Sequence, residues 1–66
     1  MDREKIGKTL TALRGAKKRE EVALAIGVTA QAISNYETGA RVPSDEIKIK
    51  IANYYGKTVQ EIFFAA

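Results

Sequence analysis

A chain of 66 residues makes one domain, 1–66, near the size at which a single hydrophobic core only just offsets chain entropy. It has neither cysteine nor histidine, which excludes disulfides and thiolate metal sites and removes the commonest general acid/base and the cysteine nucleophile. Eleven basic against eight acidic residues give a net charge of +3, and no stretch approaches the roughly 20 apolar residues of a membrane span, so the composition favours a polyanionic partner in a reducing cytoplasm over catalysis.

The opening Met1-Asp2-Arg3-Glu4-Lys5 reads as the start of a charged helix rather than a signal peptide. The spacing predicts a first helix over residues 3 to 14, where Ile6, Leu10 and Leu13 recur on one face and Gly15 ends the run. A second helix is expected from about 18 to 26, with Val22, Ala23 and Ile26 inward and Glu20 and Glu21 in the first turn, where the helix dipole favours them. Lys18 stands at its cap position and is poor at capping. Ala23 is small where two helices cross, and Gly27 can take the positive φ that a turn needs.

Thr29 can cap a third helix that begins near Ala30. Ile33 and Tyr36 then fall on its inner face, while Gln31, Ser34 and Asn35 point outward. Ser44, after Pro43, caps a fourth helix with Asp45 and Glu46 in its first turn. Ile47-Lys48-Ile49-Lys50-Ile51 alternates as a half-exposed strand would, but no second strand exists for it to pair with, so helix is expected, with Ile47, Ile51 and Tyr54 or Tyr55 on one face and Gly56 at its end. Thr58-Val59-Gln60-Glu61 forms a capping box for a last short helix, whose Val59, Ile62 and Phe63 make an apolar ridge. Phe63 and Phe64, being adjacent, cannot both face one small core. The expectation is an all-α, compact five-helix domain.

The chemistry concentrates between residues 27 and 43. Side-chain amides on the outer face of the third helix can bond a base edge at two points, most naturally adenine, which makes Gln31 and Asn35 the strongest reading candidates. Arg14, Lys17, Lys18 and Arg19 crowd the junction before the second helix, and Arg41 follows the third. When two helices joined by a tight turn dock on DNA, these are the places where phosphates lie. Glu37 is expected to be structural, bonded to a nearby arginine or to the turn, because phosphate repels a carboxylate.

The order of these features resembles that of the Cro/C1-type, lambda-repressor-like helix-turn-helix domains of the XRE group. Ile6-Gly7-Lys8 with Leu10 and Leu13-Arg14 resembles the family's first helix, and Glu20-Glu21-Val22-Ala23 through Ile26-Gly27-Val28-Thr29 its second helix and turn. Gln31-Ala32-Ile33-Ser34-Asn35-Tyr36-Glu37-Thr38-Gly39 is the closest stretch, followed by Pro43-Ser44, Ile51-Ala52, Tyr55-Gly56 and Glu61-Ile62-Phe63. The resemblance implies a helix-turn-helix in helices two and three. It also implies base reading by Ala30, Gln31, Ser34 and Asn35, and phosphate contacts by Lys17, Lys18, Arg19, Thr29, Thr38, Gly39 and Arg41. The chain departs from the family in a shorter loop after the first helix, in Lys18 for a capping serine or threonine, in Lys48 for an aliphatic residue, and in the apolar Leu24.

The expected function is sequence-specific binding of double-stranded DNA as a transcriptional regulator, most simply a repressor on a two-fold operator, bacterial or phage-type. One reading helix covers only a few base pairs, so a homodimer is expected, joined through Val59, Ile62, Phe63 and Phe64 with the reading helices about 34 Å apart. The alternative is a protein-interaction module on the same fold, antitoxin-like, using Leu24 or Phe64. No cofactor, metal, membrane or small-molecule ligand is expected, and no constellation supplies a nucleophile, base and orienting group together.

Overall fold

Five helices follow one another in the computed structural model, which describes residues 2–64: α1 (Arg3–Arg14), α2 (Arg19–Ile26), α3 (Ala30–Thr38), α4 (Asp45–Tyr55) and α5 (Val59–Phe63). Short polar side chains fix most of their starts. The Asp2 carboxylate accepts from the Glu4 and Lys5 amides at 3.0 and 3.2 Å, Thr29 from Ala32 at 3.0 Å, and Ser44 from Ile47 at 3.3 Å. Thr58 accepts from the Glu61 amide at 3.0 Å while the Glu61 carboxylate accepts from the Thr58 amide at 2.9 Å, closing the expected capping box. Those bonds hold the Glu61 carboxyl below its ordinary pKa, the backbone amide of Thr58 contributing most. Lys18 gives α2 no side-chain cap.

Two glycines set how the helices meet. Gly27 ends α2 in the left-handed region at φ 89° and returns its amide to the Ala23 carbonyl at 2.8 Å, which makes the tight α2–α3 turn. Gly7 lies mid-helix in α1, buried against α3, where a Cβ would overlap the backbone carbonyl of Glu37. Backbone therefore touches backbone at the α1–α3 crossing. No side chain larger than hydrogen fits there without moving one of the helices.

The core is continuous across all five helices: Ile6 and Leu10 from α1, Val22, Ala23 and Ile26 from α2, Ile33 and Tyr36 from α3, Ile51 and Ala52 from α4, Ile62 and Phe63 from α5. In α4 the period-two sequence is wound at about 100° per residue, which carries Ile49 out to solvent and turns Lys48 inward with Ile51 and Ala52. Lys48 keeps its charge company there. Its ammonium lies 3.5 Å from the exposed Asp45 carboxylate, 5.7 Å from the Phe63 ring centre and 5.2 Å from that of Phe64.

α5 packs on α4 and α1, so the ridge faces this core. Ile62 and Phe63, expected at a dimer contact, are 4% and 3% exposed and spend their apolar surface within the monomer. Of that set, Val59 is half-buried and Phe64 is exposed, as the adjacency of the two phenylalanines requires. Among the described residues no helix is long and apolar enough to cross a membrane, and no group of histidine, cysteine, aspartate or glutamate side chains could hold a metal.

Candidate nucleic-acid interface

The start of α3 borders an open groove. Arg14, Lys18, Arg19 and Glu20 line it from the end of α1 and the start of α2, and Ala30, Gln31 and Ser34 line it from α3. Thr29 caps α3 with its hydroxyl oxygen and keeps a hydroxyl hydrogen of its own to donate. Gln31 is exposed, and Asn35, one turn on, is half-exposed. The Gln31 amide nitrogen donates to the Asn35 side-chain oxygen at 3.1 Å, so the two expected reading residues form one linked pair on the helix surface.

At the other end of α3 the chain folds back on itself. The Asn35 carbonyl accepts from the Arg41 amide at 3.1 Å and from the Thr38 hydroxyl at 3.4 Å, which ties the segment after Gly39 to the helix it follows. Gly39, at φ 81°, lies against the backbone of Arg3 and Glu4, so Thr38 and Gly39 share a second, shallow groove with the start of α1. Arg41 is exposed. Sequence reading had no means of bringing Arg3 to this end of α3, because only the close α1–α3 crossing does so.

The junction cations behave unequally. Lys18 and Arg19 line the groove, whereas Lys17 turns the other way: its ammonium lies 3.3 Å from the Tyr54 hydroxyl and 4.9 Å from the Tyr54 ring centre. Lys17, expected at a phosphate, is exposed and rests against α4, where an aromatic face beside the loop meets its flexible stem.

Beneath the groove sits Glu37, its side chain 3% exposed. Its carboxylate accepts from Arg14 Nε at 2.7 Å, from a second Arg14 nitrogen at 3.1 Å and from Arg19 Nε at 3.0 Å. Arg14 also donates to the Lys17 carbonyl at 2.7 Å and so shapes the short loop into α2. The Glu37 hydrogen bonds hold the Arg14 guanidinium even further above its already high ordinary value. Tyr55, which with Glu37 lines a small pocket of about 10 Å³, is pushed up to about 12, chiefly by burial. An arginine partner for Glu37 was legible in sequence; that two arginines share it was not.

A helix presenting paired amides and a hydroxyl beside a cluster in which cations outnumber carboxylates is suited to a duplex groove: cations can meet phosphates and amides can meet base edges. The comparisons with known proteins agree with this architecture. A family model described as helix-turn-helix matches residues 3–62. The restriction-modification controller protein C.AhdI from Aeromonas hydrophila is 30% identical, with 94% of this chain and 97% of that one covered at a TM-score of 0.84. The clp gene regulator ClgR from Corynebacterium glutamicum is 26% identical, with 97% and 70% covered at a TM-score of 0.84. The SOS-response transcriptional repressor LexA from Eubacterium rectale, 19% identical over 92% and 67% at a TM-score of 0.86, shares the fold. No curated protein sequence matches the chain at a significant level. With the match running from the start of α1 into α5, the chain belongs to the helix-turn-helix family, in its Cro/C1-type group, a family of DNA-binding transcription regulators.

Proposed function

We propose that this chain is a repressor that binds a two-fold operator as a homodimer, inserting α3 into the major groove of each half-site. The observation that carries this reading is the open, linked amide pair of Gln31 and Asn35 beside Lys18 and Arg19. Ala30, Gln31, Ser34 and Asn35 read base edges. Lys18, Arg19 and Thr29 bond phosphates at one end of α3, and Thr38, Gly39 and Arg41 at the other.

The size of the fold supports two copies. Its longest dimension is 29 Å, less than the roughly 34 Å between successive turns of the same groove, so one copy reads one half-site. Val59 and Phe64 supply the exposed part of the contact between copies. The protein acts in the cytoplasm, on the nucleoid, by occupying its site against polymerase. Leu24, 85% exposed on α2, favours a further protein contact, and a partner-binding role without DNA is the competing reading.

Selection of bound fragments from a random duplex pool tests the proposal. A palindromic consensus with half-site centres about one helical turn apart is the expected result. In the Gln31→Ala variant, preference should fall by about 1 to 3 kcal/mol at one base pair of each half-site and hold elsewhere. Absence of salt-sensitive binding to any duplex overturns the proposal in favour of a protein partner.

A further inference from the structure

Arg19 faces two ways. Its Nε donates to Glu37 at 3.0 Å, and among the described residues that is its one hydrogen bond to protein. Its side chain is 44% exposed, against 16% for Arg14, whose Nε and both terminal nitrogens are already engaged by Glu37 and the Lys17 carbonyl. A guanidinium is planar, so a group that uses its Nε edge on one acceptor presents its terminal nitrogens to another. Arg19 lines the groove shared with Lys18, Ala30, Gln31 and Ser34, where terminal nitrogens free of partners among the described residues can meet a ligand.

Glu37 itself is fixed twice over. Its backbone carbonyl is pressed against Gly7 of α1, and its carboxylate is pinned by the inward-turned Arg14. It is a rigid post in the middle of the fold, standing under the start of α2. We propose that Glu37 is the positioning residue of the DNA interface: it grips the inner edge of Arg19 and so aims the outer edge, two N–H donors in a fixed fork, at one backbone phosphate. This rests on the DNA-binding reading above and adds to it the residue that sets the geometry of the phosphate contact. The arrangement turns a long, many-rotamer side chain into a pre-aimed donor pair, which lowers the entropy lost on binding. A lysine at the same place holds one nitrogen. Its three donors radiate from that single point, so it cannot keep one edge on the buried carboxylate while presenting a separate planar fork to the phosphate.

The test measures binding of a random-sequence duplex as salt is raised, because phosphate contacts are independent of sequence. Arg19→Ala is expected to cost about tenfold in affinity and to reduce the salt slope by about one. Arg19→Lys, which preserves the charge, should behave as Arg19→Ala does. If it restores wild-type affinity and slope, simple attraction explains Arg19 and the proposal is overturned. A double-mutant cycle addresses Glu37 directly. On variants confirmed as folded by thermal melting, Glu37→Gln should weaken binding about tenfold beside Arg19 but scarcely at all in the Arg19→Ala background; additive losses overturn the proposal. The Arg19 Nε–H resonance of the DNA-free protein gives a third reading, expected to be slow to exchange and to become fast in Glu37→Gln. Should Glu37→Gln not fold, the lysine variant alone decides. A wild-type chain with no salt-sensitive DNA binding removes the functional reading, whereas a wild-type chain that binds alongside an unimpaired Arg19→Lys removes this inference alone.

Discussion

Two charged side chains lie in the interior of the described fold, Glu37 on α3 and Lys48 on α4, and their surroundings differ in kind. Glu37 has both carboxylate oxygens hydrogen-bonded by arginines that reach it from α1 and α2, so three helices meet at one anion. Lys48 has no such set. Its ion-pair partner Asp45 is almost fully exposed, and the rest of its ammonium environment is two phenylalanine rings. The first arrangement is a hub whose removal strands two cations; the second is a tolerated charge whose removal strands nothing. Buried charge is therefore structural near the groove beside α3 and incidental under α5, a difference that burial alone does not reveal.

The largest effect should come from the contact that places the hub. Gly7→Ala pushes a methyl into the Glu37 carbonyl, and a loss of about 3 kcal/mol is expected on thermal unfolding, enough to leave a domain this small barely folded. A fold that survives it undamaged would show that α1 and α3 can slide apart freely. Next comes one operation applied at both charges. Glu37→Met should destabilise by about 2 kcal/mol, less than a fully buried pair would give because Arg19 is partly solvated and can turn to water. Lys48→Met should stabilise by about 1 kcal/mol, since a thioether packs on the rings without the cost of burying a charge. Equal signs at the two sites would dissolve the contrast.

Smaller effects sharpen it. The Tyr55 phenol beside Glu37 is raised from its ordinary value of 10.0 to about 12, so the folded state favours the protonated form. The stability this provides is complete below pH 10 and is lost as pH rises from there through about 12; Tyr55→Phe should flatten that part of the stability curve relative to wild type. Smallest of all, Glu20 is the carboxylate that lines the groove with three cations, and Glu20→Gln should tighten binding to random duplex by roughly threefold, measured at low salt.

Where a feature of the fold depends on neighbours in sequence, it was legible. Thr29, Ser44 and the Thr58–Glu61 box start helices where the residue types say they must, because a cap acts over three residues. The inward faces of α1, α2 and α3 followed from spacing, and so did the outward amides. The features that depend on contacts between distant helices were not. Nothing near Gly7 in sequence announces that α3 crosses it, and nothing near Lys48 says that the phenylalanines will fold over it. The same holds for Lys17, which meets a tyrosine of α4, and for Ile62 and Phe63, whose ridge could face a partner or a core until the packing of α5 is known. The candidate interface is split along the same line: its reading helix was visible, whereas the sharing of Glu37 between Arg14 and Arg19 needed three helices in place.

The bond between the Gln31 and Asn35 side chains has a consequence for how an operator tolerates mutation. Each amide restrains the other, so under the base-reading role proposed above a wrong base under one would disturb the aim of both. Penalties for two neighbouring mismatches in the half-site should then fall short of their sum. A scoring scheme that treats those base pairs as independent letters would misrank the weaker sites.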